Sequence, residues 1–235
     1  MNAESCWLGS CGLVAVVALG CHSPQAIPPS GPVPVADEPR HHLVFENAIA
    51  RVLDVQVPAG DTTLYHVHTY PNLGVVIQGA RSWAQSQYTA PGEVEIARAA
   101  AALLDNWAQE LPYTHRVGNA DSVAFHCVIS EWRGTSGVDC TSLADGGLRR
   151  LAKEGRFFRV YEIRLAPHAA TESHRHSCPG LTVLATMGLL GEDGKTSGPT
   201  GGAGAGQWEW RNAGVTHALR NDGDTPLTAF EIDWR

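Results

Sequence analysis

The chain has 235 residues, enough for one large domain or two small ones. Hydrophobic residues make up 43% and charged residues only 17%, and 25 glycines and 14 prolines favour a turn-rich β protein over a helical bundle. The formal net charge is −7 and the densest basic run is Arg149, Arg150 and Lys153, which excludes the concentrated positive field that nucleic-acid binding requires.

The N-terminal segment has features of an export signal. Residues 11–20 form an apolar run that is too short for the ~20 residues of a membrane span but has the length found in signal peptides. The sequence Ala18-Leu19-Gly20-Cys21 resembles the lipobox of bacterial lipoproteins, which implies lipidation of Cys21. Residues 1–5 contain no Lys or Arg and Leu19 is bulky, so a misassigned start codon or a disordered N-terminus stays open.

We therefore expect residues 1–21 to be a signal peptide and the protein to reach the periplasm or cell envelope. Residues 22–41 follow as a proline-rich stretch, which predicts an extended tether. Any contact with a membrane is expected only through the lipid on Cys21.

The body of the chain reads as strands. Residues 51–57 and 159–165 alternate apolar and polar side chains with period two, and each segment ends at a turn signal. Residues 74–79 predict a short buried strand. The Ala/Leu-rich residues 97–107 predict a helix inserted in the first half, and residues 143–154 predict an inter-domain helix or linker. The glycine-rich residues 191–206 predict a solvent-facing loop.

A repeated motif divides the body into two halves. His66-Val-His68 and His174-Arg-His176 are each followed, three residues later, by Pro, then by an apolar run closed by Gly79 or Gly188. Downstream, Thr-His-x-x-x-Asn occurs at His115 and again at His217, and the same offset aligns Trp132 with Trp234. The same set occurs twice in the same order, which indicates duplication.

The histidines have the spacing of metal ligands. Side chains at i and i+2 of a strand share one face, so His66 and His68 can reach a common ion, as can His174 and His176. A third ligand must come from a neighbouring strand, and His115 and His217 are the candidates. Imidazole suits Fe, Mn, Ni or Zn, and the sequence does not decide which divalent ion binds or whether both sites do.

These residues resemble the two motifs of the cupin superfamily, G-x5-H-x-H-x3,4-E-x6-G and P-x-G-x2-H-x3-N. The segment from Gly60 to Gly79 looks like the first motif, His115 with Asn119 the end of the second, and the second half repeats both, with His168 in place of the leading glycine. The resemblance implies an all-β fold of two tandem jelly-roll barrels: domains at 42–135 and 156–235, joined by a linker at 136–155.

The glutamate of the first cupin motif is absent from both halves. Asn72 or Leu73 and Gly180 or Leu181 occupy its place, and Glu172 could substitute for it. Three neutral histidines leave the +2 charge of an ion uncompensated, which favours a small anionic substrate. The resemblance thus implies a dioxygenase-like metal enzyme; the alternative is a non-catalytic cupin that holds a metal or small ligand. Oligomeric state stays open.

The remaining residues of interest are expected to be structural. We interpret Asn119 and Asn221 as turn residues, His126 as a strand residue and His168 as a solvated turn residue, and we assign no role to His41. The six cysteines contain no C-x-x-C and predict no disulfide framework, although Cys127 and Cys140 could pair.

Overall fold

The computed structural model describes residues 31–93, 95–96, 103–105, 111–134, 140–143, 147–194, 200–201 and 204–235. The expected signal peptide, Cys21 and residues 22–30 of the expected tether lie outside this part of the chain. Residues 31–235 form one compact unit. Within the described residues, no helix is both long and apolar enough to cross a membrane.

The first half folds into two sheets, after a short 3-10 turn at Val35–Asp37. Its strands are β1 (Val33–Pro34), β2 (His41–Glu46), β3 (Ala50–Val57), β4 (His66–His68), β5 (Asn72–Gln78), β6 (Arg81–Ser86), β7 (Glu95–Ile96), β8 (Leu103–Asp105), β9 (Tyr113–Asn119) and β10 (Phe125–Trp132). One sheet has the order β1-β4-β9-β6-β7 and the other β2-β3-β10-β5-β8.

The second half repeats this arrangement. Its strands are β11 (Arg149–Glu154), β12 (Phe158–Leu165), β13 (His174–Arg175), β14 (Gly180–Leu184), β15 (Leu190–Gly194), β16 (Thr200–Gly201), β17 (Trp208–Arg211), β18 (Thr216–Asn221) and β19 (Leu227–Trp234). The sheets have the orders β11-β12-β19-β14-β17-β16 and β13-β18-β15. The expected all-β fold of paired barrels is confirmed, and so are the strands predicted over residues 51–57, 74–79 and 159–165.

A shared core joins the two halves. Buried apolar side chains of β3, β5 and β10 form one cluster with those of β12, β14, β17 and β19. The indole rings of Trp132 and Trp234, which the repeat aligns, stack with their centroids 6.0 Å apart and 2° between their planes. Each tryptophan is the last residue of the central strand of its own sheet. Equivalent positions of the two halves therefore contact each other where the halves meet.

Three expectations about local structure were wrong. Residues 103–105 and 149–154 are strands, not helices, because pairing with β5 and β12 satisfies their backbone groups and outweighs a weak helical propensity. The rest of the 97–107 patch lies outside the described residues. In the glycine-rich stretch, Gly191–Gly194 belongs to β15 and pairs with β18.

The tether ends earlier than expected. Val33 and Pro34 pair with β4, and Val35 is buried in a core cluster of the first half. Apolar contact therefore draws the last residues of the proline-rich stretch into the fold.

The cysteine pairing also differs from the expectation. Cys140 forms a disulfide with Cys178, with their Cα atoms 5.5 Å apart. Cys127 is a free, buried thiol because β10 directs it into the core of the first half. The bond ties the connection between the halves to the loop that follows His176.

Candidate metal centres

The first candidate centre is built by two antiparallel strands. In β4, His66 and His68 project to the same side, and β9 places His115 directly opposite His66. The ring centroids of His66 and His115 are 4.6 Å apart, and those of His68 and His115 are 5.2 Å apart. His66 and His68 are buried. The structure thus brings together the three histidines that the sequence predicted for this half.

Hydrogen bonds on the outer nitrogens orient these rings. His66 donates from Nδ1 to the Leu64 carbonyl at 3.0 Å, and His68 Nδ1 lies 3.1 Å from Glu131 Oε1. Because His66 donates from Nδ1, its Nε2 carries the lone pair. His68 Nδ1 also lies 2.8 Å from Asn72 Nδ2, and the Nε2 atoms of His68 and His115 lie 3.3 Å apart. Within the part of the chain that the structure describes, the buried Nε2 of His66 has no hydrogen-bond partner. An inward-facing, unsatisfied nitrogen of this kind fits a metal ligand.

The second candidate centre repeats the geometry. His174 faces His217 across β13 and β18, and His174 donates from Nδ1 to the Glu172 carbonyl at 2.9 Å. His176 Nδ1 lies 2.7 Å from Asp233 Oδ1, which corresponds to the His68–Glu131 pair of the first half. The Nε2 atoms of His176 and His217 lie 3.0 Å apart. The predicted histidines of this half are therefore also brought together.

The second centre has a carboxylate that sequence reasoning missed. Glu231 Oε1 lies 3.1 Å from His174 Nε2, 3.1 Å from His176 Nε2 and 2.8 Å from His217 Nε2. The ligand atoms of these four residues all fall within 4.8 Å of one another, so the group could hold a metal ion. The expected substitute, Glu172, is exposed and contributes only its carbonyl.

Glu231 lies on β19, a different strand from the position that the glutamate of the cupin motif would occupy. In β14, Gly180 occupies the motif position, and a Cβ there would lie 1.9 Å from the Ile232 carbonyl oxygen. The aligned tryptophans place Glu231 at the position of Ile129 in the first half. The signal was present in Leu227–Trp234, where Glu231 and Asp233 alternate with large apolar residues in a strand that must be central.

The two centres differ in electrostatics. Burial lowers the pKa of His66 to about 3, and the neighbouring imidazoles of His41 and His68 act in the same direction. Burial and the facing His66 likewise hold the pKa of His115 well below its ordinary value. His66 and His115 are thus poised in the neutral form that binds metal.

Carboxylates dominate the second centre. Burial alone would lower the pKa of His217, but hydrogen bonds to Glu192 and Glu231 raise it. Burial would likewise raise the pKa of Glu231, yet hydrogen bonds from His174, His176 and His217 hold it well below its usual range. Glu231 is therefore anionic. Glu192 belongs to the segment expected to be a solvent-facing loop, and here it fixes Nδ1 of His217.

Beside each centre lies a further basic side chain, and the two side chains occupy equivalent positions of the two halves. His41 of β2 pairs with Val55, and Arg149 of β11 pairs with Ile163, the residue that corresponds to Val55. The ring of His41 lies 4.4 Å from that of His66, and its Nδ1 donates to Glu38 at 2.7 Å. His41 was missed because it was placed in the tether.

The interpretation of the other polar residues is confirmed. The Asn119 amide donates to the carbonyls of Val57, Pro58 and Val123, and the Asn221 amide donates to those of Leu165, Ala166 and Thr225. His126 bonds to Asp54 on the neighbouring strand. His168 lies in an exposed turn with φ +60°, the left-handed region that its counterpart Gly60 also adopts.

The arrangement allows specific chemistry. Two sets of ligand atoms converge at the interior of the barrels, one of three imidazoles and one of three imidazoles with a carboxylate. These are ligand types that Fe, Mn, Ni and Zn accept, and hydrogen bonds on the outer nitrogens orient all of these rings except that of His115.

No protein-family model matches this chain, and no curated protein matches it. Solved structures do. Oxalate decarboxylase from Lactobacillus farciminis, solved as a formate complex, has 11% identity and a TM-score of 0.55, covering 82% of this chain and 83% of that chain. Salicylate 1,2-dioxygenase from Pseudaminobacter salicylatoxidans has 10% identity and a TM-score of 0.53, covering 79% and 71%.

A cupin 2 conserved barrel domain protein from Leptotrichia buccalis is also similar, with 7% identity and a TM-score of 0.50, covering 82% of this chain and 87% of that chain. At these identities the likenesses show the fold alone. The chain has the all-β barrel fold of cupin proteins.

Proposed function

We propose that this chain is an exported, metal-dependent bicupin enzyme with one divalent-metal centre in each half, acting on a small anionic organic substrate. The observation that carries the proposal is the convergence of His174, His176, His217 and Glu231, whose ligand atoms lie within 4.8 Å of one another. The two matching sets of sheets, each with its own histidine group, support division of the chain into two cupin domains.

The residues of each centre would have distinct tasks. His66, His68 and His115 would hold the ion of the first centre, and His174, His176, His217 and Glu231 that of the second. Bound iron or manganese would supply a Lewis acid and, with iron, oxygen chemistry. Protein carboxylates and carbonyls fix the outer nitrogens, so the ligand sets are preorganised before an ion arrives. An ion of coordination number six would keep at least two positions for substrate.

The charge of the two candidate metal centres indicates the substrate class. The first centre offers only neutral donors, so a divalent ion there keeps its full charge, and one carboxylate in the second centre leaves a net positive charge. The names of two structurally similar enzymes contain small carboxylates: salicylate for the dioxygenase and oxalate for the decarboxylase. A dioxygenase-like reaction on a small organic anion is the activity that this combination supports.

A second candidate function is the storage or sensing of a metal without turnover. Its support is burial: the exposed fractions of His176, His217 and Glu231 are 0%, 1% and 0%. Four buried ligands form a closed set around a four-coordinate ion such as zinc, which is typical of structural sites.

Elemental analysis of the full chain tests the proposal. After exposure to Fe(II), Mn(II), Ni(II) and Zn(II), we expect up to two bound ions, with one lost in His66→Ala/His68→Ala and one in His174→Ala/His176→Ala. The matched control His126→Ala/His168→Ala should lose none. Oxygen uptake by the iron-loaded protein with a panel of small carboxylates separates the enzyme from the storage protein. An unmutated chain that stays empty contradicts both functions.

Export is supported by the Cys140–Cys178 disulfide, because such bonds persist in oxidising compartments. We propose that residues 1–20 are removed and that Cys21 is lipidated. Intact mass of the mature protein, compared with a Cys21→Ala variant, should show the loss of these residues and an added lipid. An unprocessed N-terminal Met1 in the native host would contradict the proposal.

A further inference from the structure

Arg149 is a largely enclosed guanidinium, and two of its three nitrogens make no hydrogen bond within the described residues. Its side chain is 11% exposed, and among the described residues its buried Nε and Nη2 atoms have no hydrogen-bond partner. Leaving buried N–H groups of a charged side chain unsatisfied costs free energy, so native structures retain such groups mainly where something else binds them. The guanidinium is therefore a candidate ligand-binding group.

The guanidinium of Arg149 lies beside the second candidate metal centre. Arg149 Nε lies 3.5 Å from Glu231 Oε2, while the other carboxylate oxygen of Glu231 faces the three histidines. A ligand bound to the arginine would therefore lie beside the metal ligands.

The neighbouring arginines are used differently. Arg211 is fully buried and donates to Thr182, Asp233 and the carbonyls of Leu181 and Ile232. Arg150, the next residue along β11, is 65% exposed and pairs with Glu162. Arg149 differs from both because it is enclosed, faces the centre and retains unused donors.

We propose that Arg149 is the carboxylate-binding residue of the second centre, and that this centre takes small carboxylates carrying a second donor group. Guanidinium N–H groups match the two oxygens of a carboxylate, and the second donor of the substrate then reaches the ion. The equivalent position of the first half holds His41. Arg51 of that half pairs with Glu131, which contacts the outer nitrogen Nδ1 of His68 and not an inward Nε2. The inference rests on the proposed function, because it requires an ion in the second centre.

The test uses Co(II), whose visible absorption responds to a change of ligands, and glycolate as the probe. His66→Ala/His68→Ala in the full chain serves as the parent, so that only the second centre is loaded. In this parent, Arg149→Gln should weaken glycolate binding about tenfold or more, and Arg149→Lys should weaken it less. Arg150→Gln is the matched control and should bind glycolate like the parent. Glycolamide, which lacks the carboxylate, should bind weakly and equally to all variants.

Several outcomes overturn the inference. Equal glycolate affinity in Arg149→Gln and the parent refutes it and leaves the metal proposal standing, as does a loaded parent that ignores glycolate. Loss of Co(II) from both Arg149→Gln and Arg149→Lys would show that Arg149 only supports Glu231. A parent that takes up no Co(II) overturns the proposed function and this inference together. If Arg149→Gln does not fold, Arg149→Lys alone decides between weakened and unchanged glycolate binding.

Discussion

Replacing Glu231 by Gln should separate the two centres. The change keeps the shape of the side chain and removes the negative charge that lies within 3.1 Å of three imidazole nitrogens. An ion in the second centre would then lose its one anionic ligand. Since altering even an outer partner of a ligand costs 10–100-fold in metal affinity, we expect loss of this ligand to cost roughly 100-fold or more. The first centre should keep its affinity.

The same substitution should change the stability of the metal-free protein. Arg149 and Glu231 lie 3.5 Å apart with almost no exposure, and two unit charges at that separation interact by about 5 kcal/mol at an effective dielectric constant of ~20. Desolvation offsets part of this, and removal of one partner of a buried pair costs about 3–5 kcal/mol. Urea unfolding of the metal-free protein should therefore show a loss of roughly 3 kcal/mol.

Competition with a chelator measures the affinity of each centre. Glu131→Gln is the matched control, because Glu131 contacts only His68 among the ligands and should weaken the first centre alone. The reasoning would be refuted by a Glu231→Gln protein in which the second centre keeps its affinity, or in which both centres weaken equally.

Three further predictions concern the fold. Burial alone would raise the pKa of Glu38, but hydrogen bonds from His41 and two backbone amides lower that pKa to about 2 from an ordinary 4.5. The lowered pKa stabilises the folded state by about 3 kcal/mol; this stabilisation is complete above pH 5 and is lost as pH falls toward 2. Glu38→Gln should thus flatten the fall in unfolding free energy between pH 5 and pH 3, and an unchanged slope would contradict the assignment. Asn221→Ala removes the amide group that donates hydrogen bonds to three backbone carbonyls. The change should lower the free energy of unfolding in urea by about 2 kcal/mol without loss of metal. A variant that kept its stability but lost metal would show that Asn221 is not structural. The Cys140–Cys178 bond closes a 38-residue separation, so Cys178→Ser should cost about 4 kcal/mol, and alkylation of the denatured wild-type protein should label Cys127 alone among the body cysteines.

Much of the candidate site could be read from the chain. The His-x-His spacing matters only on a strand, and period-two alternation predicted strands, so the ligand groups of His66 and His174 followed from local pattern. The repeat then supplied His115 and His217, although nothing local links a histidine at 115 to one at 66. Duplication carried long-range information that a single motif lacks.

Other features depended on which strands become neighbours. Glu231 lies 14 residues from His217, the nearest metal-ligand histidine of its half, and Arg149 and His41 each lie 25 residues from theirs, His174 and His66. No spacing rule connects these residues to the histidines. The pairing of Cys140 with Cys178 likewise required two segments 38 residues apart to meet. Helical propensity at 149–154 was overridden by pairing with β12.

By itself, the sequence determined the β class, the two halves and six histidines, because these follow from periodicity and repetition along one chain. The tertiary structure decided the rest: a carboxylate in the second centre but an isoleucine in the first, and an arginine over one centre but a histidine over the other. The physical reason is that the central strands β10 and β19 bury all but one of their side chains, on both faces. A charged residue there is stable only beside partners that the fold brings from elsewhere in the chain.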